Sequence, residues 1–302
     1  MPVPVSPRIR SALALAVVVV TAAACSGSAA RSASTASPSP AAAASAIASP
    51  TATPTANTRI EFDRTRPFGV VESSVAEDSG VSVHDITYAG AAGEPIEAYL
   101  VFPKGEGPFG AVFFQHSSGE SRSEFLPEAQ LLAGRGVASI LITSPSVDGM
   151  QGWTPEAITA QVREMSRAVD LLVAEPKVDP NRIGFVGYSL GAVQGSVFAG
   201  SEGRRMQVSV LMAFFPRYGV MGGPGLEDFD PIVWVRQIAS GHVLMQLGTA
   251  DSYYSRADWN ELDPTSMPNL KLNWYDADHA LSIQAQQDRL DLLVNLLAET
   301  GS

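Results

Sequence analysis

The sequence predicts an α/β domain built on a mostly parallel central sheet with helices on both faces. Three observations carry that expectation. Strand-length apolar runs alternate with helical patterns over residues 59–302, the order that builds a parallel sheet wrapped by helices. One of those runs, residues 182–186, passes directly into Gly187-Tyr188-Ser189-Leu190-Gly191 and then into a stretch of small residues. Residues 59–302 are enough chain for one large domain, and they show no internal repeat and no second domain of useful size.

The elements follow in order. Segments near 81–88 and 96–102 flank the turn Gly90-Ala91-Ala92-Gly93 and form an antiparallel hairpin at the sheet edge. The first clearly buried strand covers 110–115 and ends in His116-Ser117-Ser118-Gly119. A helix over about 124–133 has Ser121 and Glu124 spaced as a capping box, with Gly134 or Gly136 to stop it. A strand at 138–143 leads into a loop of turn formers that ends at Trp153. Thr154-Pro155 then opens the strongest helical pattern, with Ile158, Val162, Met165, Val169, Leu172 and Val173 on one face. Asp179-Pro180-Asn181 is a turn that delivers strand 182–186. A small-residue helix at 192–199, a strand at 208–215 and a Gly/Pro-rich excursion over about 218–229 come next. After a short helix there are a strand at 242–248, a helix near 257–262 and a strand at 270–275. Ile283, Leu290, Leu293, Val294 and Leu297 close the domain as an amphipathic helix.

A strand that enters G-x-S-x-G and leaves as a helix is the nucleophile elbow of the α/β-hydrolases. The serine sits on a strained turn, so the positions two before and two after it must lack side chains that would clash. A serine hydroxyl is a poor nucleophile at neutral pH and needs a base, which needs an orienting acid. In this fold those partners follow in the order Ser, Asp or Glu, His. His279, in the loop after strand 270–275, is the expected base. His116 lies on the correct rim but precedes the serine. His242 opens its strand and should be exposed at the far end of the sheet, and His84 sits on the edge hairpin in a structural role. Asp251, after strand 242–248, is the expected acid, whereas Asp276 and Asp278 read as turn formers beside His279. The oxyanion of a tetrahedral intermediate needs two backbone N–H donors. Leu190 should supply one, and Ser117 or Ser118 the other.

These residues resemble the dienelactone-hydrolase and acyl-peptidase-like branch of the α/β-hydrolases over roughly residues 81–298. AYLVFPKGEGPFGAVFFQH reads like that branch's strand and oxyanion loop, and VDPNRIGFVGYSLGA like its elbow. VLMQLGTADSYY and WYDADHAL read like its acid and base turns. Two departures matter: Ser117 replaces the usual glycine after His116, and the nucleophile is Ser189 rather than cysteine. With serine in place of cysteine the resemblance does not imply that branch's lactone opening, and the assembled residues read as a serine carboxylesterase that acts through an acyl-enzyme on a small-molecule or polymer ester. His116, Tyr188, Trp153, Tyr253 and Tyr254 are candidate substrate-binding residues, and the short insertion at 219–229 favours an open cleft. A peptidase or amidase of the same fold, and a catalytically silent surface binding module, are the alternatives. No cluster has metal-ligand spacing, so neither a metal nor an organic cofactor is expected.

The ends place this domain. Arg8 and Arg10 precede the apolar run SALALAVVVVTAAA, which has the length of a signal-peptide core rather than of a membrane span. It ends at Cys25, the only cysteine, in a context that resembles a lipoprotein cleavage box apart from Ala22 in place of Leu or Val. Residues 1–24 therefore read as a signal peptide, 25–58 as a disordered Ala/Ser/Thr/Pro tether, and 59–302 as the folded domain. Export with a lipid anchor on Cys25, holding the domain on the outer face of a bacterial membrane, is the expectation; full secretion is the alternative. Of the 20 basic residues Arg8, Arg10 and Arg31 lie before the domain, which leaves 17 against 31 acidic ones and a net charge of −14. That surface excludes nucleic acid as a natural partner.

Overall fold

The computed structural model describes residues 60–144, 153–221, 225–238 and 241–298. Residues 1–59, with the signal, the tether and Cys25, lie outside it. So do residues 145–152 of the loop before Trp153. In chain order the strands are β1 (Val71–Asp78), β2 (Val81–Ala89), β3 (Pro95–Phe102), β4 (Phe109–Gln115), β5 (Val137–Ile142), β6 (Val178–Tyr188), β7 (Val208–Met212), β8 (His242–Gly248) and β9 (Leu270–Tyr275). The helices are α1 (Leu126–Ala133), α2 (Pro155–Ala174), α3 (Leu190–Glu202), α4 (Pro231–Val235) and α5 (Ile283–Leu297).

All nine strands join one sheet in the order β1-β2-β3-β5-β4-β6-β7-β8-β9. β1, β2, β3 and β5 pair antiparallel, and every pairing from β5 through β4 to β9 is parallel. The central strands β5 and β7 are buried along their whole length, as strands covered on both faces must be. Phe113, Phe185, Val197 and Phe198 belong to the core on the face that packs α2, α3 and α4. Val112, Val186, Leu132 and Leu293 belong to the core on the other face, under α1 and α5.

Several boundaries differ from the sequence reading, each for a physical reason. β1 was not expected: all eight of its residues are exposed and it pairs with β2 alone, so no apolar pattern marks it. Asp179-Pro180-Asn181 does not separate two elements. β6 already begins at Val178, and the register jump between Phe109↔Val178 and Ala111↔Ile183 absorbs the turn as a bulge. The capping box does not form. α1 starts at Leu126, its N-cap Phe125 makes no side-chain cap, and Glu124 turns back to Ser117. β7 stops at Met212 because Ala213 has φ +47. The helix near 257–262 shrinks to a 3-10 turn, Ala257–Trp259. α2 behaves as expected: Thr154 caps it by accepting from Ala157 N–H, Pro155 occupies its first turn, and Ile158, Val162, Met165, Val169 and Leu172 are buried.

Candidate active site

The turn between β6 and α3 carries Ser189 with φ +52 and ψ −118, a conformation that a non-glycine residue holds only under constraint. The flanking glycines are steric requirements. A Cβ on Gly187 would lie 2.5 Å from the Gly191 carbonyl oxygen, and a Cβ on Gly191 would lie 2.5 Å from that of Gln115. Ser189 N–H donates to the Met212 carbonyl at 2.9 Å, which locks the elbow onto the end of β7.

Three side chains from three loops meet at that rim. His279 Nε2 lies 2.9 Å from Ser189 Oγ, and His279 Nδ1 lies 2.7 Å from Asp251 Oδ2. The Asp251 side chain is fully buried while His279 keeps 26 % of its side chain exposed, so the pair presents imidazole to solvent and hides the carboxylate. Asp251 Oδ1 accepts from Tyr253 N–H at 2.9 Å. Ser189, His279 and Ser118 open on a cleft of about 200 Å³, and Leu190, Val193, Phe214, Phe215 and Trp153 form its apolar walls. Trp153 stacks on Phe215 at 5.8 Å between ring centroids. Tyr253 is 47 % exposed and stands edge-on to His279 at 4.7 Å between centroids.

Known proteins resemble the chain in part of its sequence and in its fold. Residues 71–214 match the model of the esterase FrsA-like family, a stretch that includes Ser189 and stops short of Asp251 and His279. Among solved structures, an acetyl xylan esterase from Paenibacillus sp. R4 superposes with TM-score 0.63 at 18 % identity over 77 % of this chain and 90 % of that one. The acetyl xylan esterase 1 of Thermoanaerobacterium sp. JW/SL YS485 gives 0.61 at 17 % identity, over 77 % and 89 %. A cold-adapted esterase from an Arctic intertidal metagenomic library gives 0.61 at 19 %, over 74 % and 98 %. The chain is an ester hydrolase of the α/β-hydrolase fold. No curated protein matches it.

Within this hydrolase the remaining expected site residues divide. Leu190 is the first residue of α3, where a backbone N–H has no acceptor inside the helix. Ser117 does not offer its amide to the cleft: that N–H donates to Glu124 Oε2 at 2.7 Å, and its hydroxyl donates to Glu124 Oε1 at 2.8 Å. Ser118 N–H has no acceptor among the described residues, and Ser118 lines the cleft. Trp153 and Tyr253 line it as well.

The other three candidates do not reach it. His116 is buried, with Nδ1 on the Ser117 carbonyl and Nε2 on Ser144 N–H. Tyr254 is buried beneath the site, where its hydroxyl accepts from Gly248 N–H at 3.1 Å and hydrogen-bonds Asp251. Burial pushes its pKa well up, so it remains a neutral donor to that carboxylate. Tyr188 faces the opposite side of His279 and lines a separate cavity beside Glu124 and Arg289. Burial, with the carboxylates of Glu124, Asp251 and Asp278 around it, pushes its phenol up to about 12.

Sequence reading missed Val193, Phe214 and Phe215 as cleft walls, and Glu124 as a partner of Ser117. The Phe214-Phe215 pair had a signal, since residues at the carboxyl end of an expected strand face this rim. Glu124 had none, because its spacing from Ser121 fits a helix cap equally well.

Proposed function

We propose that this esterase is a serine carboxylesterase that cleaves small-acyl esters through an acyl-enzyme, with Ser189 as nucleophile, His279 as general base and acid, and Asp251 as its orienting partner. Ser189 Oγ attacks the ester carbonyl while its proton passes to His279 Nε2. The tetrahedral oxyanion is held by the Leu190 N–H and the Ser118 N–H, aided by the N-terminus of α3. Collapse expels the alcohol, which takes the proton from Nε2; water then attacks the acyl-enzyme with His279 again as base. Asp251 keeps the imidazole in the tautomer with a proton on Nδ1 and stabilises the cation formed in each step.

The observation that carries this reading is the unbroken relay from Asp251 Oδ2 through His279 to Ser189 Oγ, at 2.7 and 2.9 Å, opening on an apolar cleft. The size of that cleft supports the short-acyl class, since sites for drug-sized ligands run to roughly 300–1,000 Å³. The stretches around Ser189, Asp251 and His279 read like those of the dienelactone-hydrolase and acyl-peptidase-like branch, with serine for cysteine. The signal, tether and Cys25 support export and a lipid anchor on the outer face of the membrane.

Fluorophosphonate labelling of the protein beside Ser189→Ala tests the chemistry, followed by an ester panel graded by acyl length. Labelling that vanishes in the variant, with turnover falling beyond short acyl groups, is the expected result. A folded protein that never labels would overturn the reading in favour of a silent fold, and amide turnover equal to ester turnover would favour a peptidase. Palmitate labelling of wild type and Cys25→Ala tests the anchor, and label retained in the variant sinks it.

A further inference from the structure

Ser117 is gripped from two sides. Its N–H and its hydroxyl both donate to the Glu124 carboxylate, at 2.7 and 2.8 Å. Its carbonyl lies 2.7 Å from His116 Nδ1. The other ring nitrogen settles the tautomer: Ser144 N–H donates to His116 Nε2 at 3.0 Å, so Nε2 carries the lone pair and Nδ1 carries the proton that reaches Ser117. His116 is 9 % exposed, and Gln115, one residue earlier, is bound to the Ser144 hydroxyl, so the support behind the loop is itself fixed.

In a trans peptide the carbonyl and the next N–H point in opposite directions. Holding the Ser117 carbonyl on His116 therefore turns the Ser118 N–H to the other side, away from the buried imidazole. Holding the Ser117 N–H on Glu124 stops the preceding peptide from rotating and removes the rival donor. A serine stands here in place of a side-chain-free residue, and its hydroxyl supplies a second point of attachment to the same carboxylate.

We propose that Glu124 and His116 are positioning residues that clamp Ser117 and thereby aim the Ser118 N–H at the reacting carbonyl oxygen. The clamp rests on the reading of Ser189 as the nucleophile. It is distinct from the triad, since neither side chain lines the cleft that Ser189 opens on.

Glu124→Ala and Glu124→Gln test it, in a protein whose Ser189 labels with fluorophosphonate. Alanine abolishes both bonds. Glutamine keeps them, because its carbonyl can accept the Ser117 N–H while its amide donates to the hydroxyl oxygen. Glu124→Ala is expected to lower kcat by about 10- to 100-fold with KM within about twofold, the mark of a contact made in the transition state. Binding of an alkylboronic acid, which mimics the tetrahedral state, should weaken in step with kcat/KM. Glu124→Gln should stay within about threefold of wild type in kcat. An alanine variant with wild-type kcat, a change in KM alone, or a glutamine variant as slow as the alanine one overturns the clamp while leaving the nucleophile in place. If the alanine variant does not fold, a crystal structure of the wild type with a phosphonate on Ser189 decides. The phosphonyl oxygen should lie within about 3.1 Å of the Leu190 and Ser118 nitrogens; contact with the Ser117 nitrogen instead overturns the proposal. A wild type that never labels removes the nucleophile reading, and the clamp with it.

Discussion

The hydroxyl of Tyr188 donates to the backbone carbonyl of His279 at 3.0 Å, tying the residue before Ser189 to the residue that faces it. The two rings also lie 5.4 Å apart between centroids, so the aromatic body supports the imidazole from behind. Tyr188→Phe keeps that body and removes the bond. A hydrogen bond of this kind contributes about 1 kcal/mol, so kcat should fall about fivefold with KM unchanged. Steady-state kinetics on a short-chain ester would read it, and wild-type kcat would show that the bond does not hold the base.

The Asp251 side chain is fully buried and accepts from His279, from Tyr253 N–H and from Tyr254. Asp251→Asn leaves the shape and takes away the charge that favours a proton on Nδ1. The expected loss in kcat is about 10³- to 10⁴-fold, the scale seen when a triad acid is neutralised. Kinetics paired with thermal melting would separate this from unfolding, and a loss below tenfold would assign the orienting role elsewhere, to Asp276 or Asp278.

Phe215 is buried against Trp153 and Tyr218 and closes one wall of the cleft. Phe215→Leu shortens that wall. A methylene gained or lost in an apolar pocket shifts discrimination by about 1–3 kcal/mol, so the hexanoyl-to-acetyl ratio of kcat/KM should rise roughly tenfold. An unchanged ratio would place the acyl chain against another wall.

Away from the site, the Glu164 carboxylate on α2 is buried, accepts from Ala91 N–H at 2.8 and 3.1 Å, and is hydrogen-bonded to Glu94. Burial, then the neighbouring Glu94, raises its pKa from 4.5 to about 8, against the opposing pull of the Ala91 N–H and, less, of Arg167. A carboxyl raised in the folded state stabilises the protein at low pH and loses that contribution as pH climbs from its unfolded value to about 8. Glu164→Gln imitates the protonated form at every pH. The variant should melt above wild type at pH 8 to 9, and the two should converge near pH 5. Parallel melting curves across that range would show that the pair shares no proton.

The site was legible where its requirement is local. A Cβ on Gly187 would strike the Gly191 carbonyl across the elbow, a constraint written within five residues, whereas a Cβ on Gly191 would strike the Gln115 and His116 carbonyls at the end of β4. Ser189, Asp251 and His279 could each be placed after a strand whose apolar run marks it, and parallel strands deliver their carboxyl ends to one rim. β1 left no trace because nothing on it is buried. The supposed cap at Ser121 and Glu124 misled for the complementary reason: one spacing serves two partners, and only packing selects between them.

The sequence by itself determined the α/β order of elements, the strained serine turn and the three residues that meet beside it. These follow from hydrophobic periodicity, glycine sterics and the direction of the chain. The tertiary structure decided what each side chain around that nucleus touches. It gave the Ser117 amide to Glu124, set Tyr254 beneath Asp251, put Tyr188 behind His279 and closed the cleft with Phe214 and Phe215. Those outcomes depend on hydrogen-bond partners and packed surfaces brought together from distant parts of the chain, and a donor's direction exists only once its acceptor has been placed.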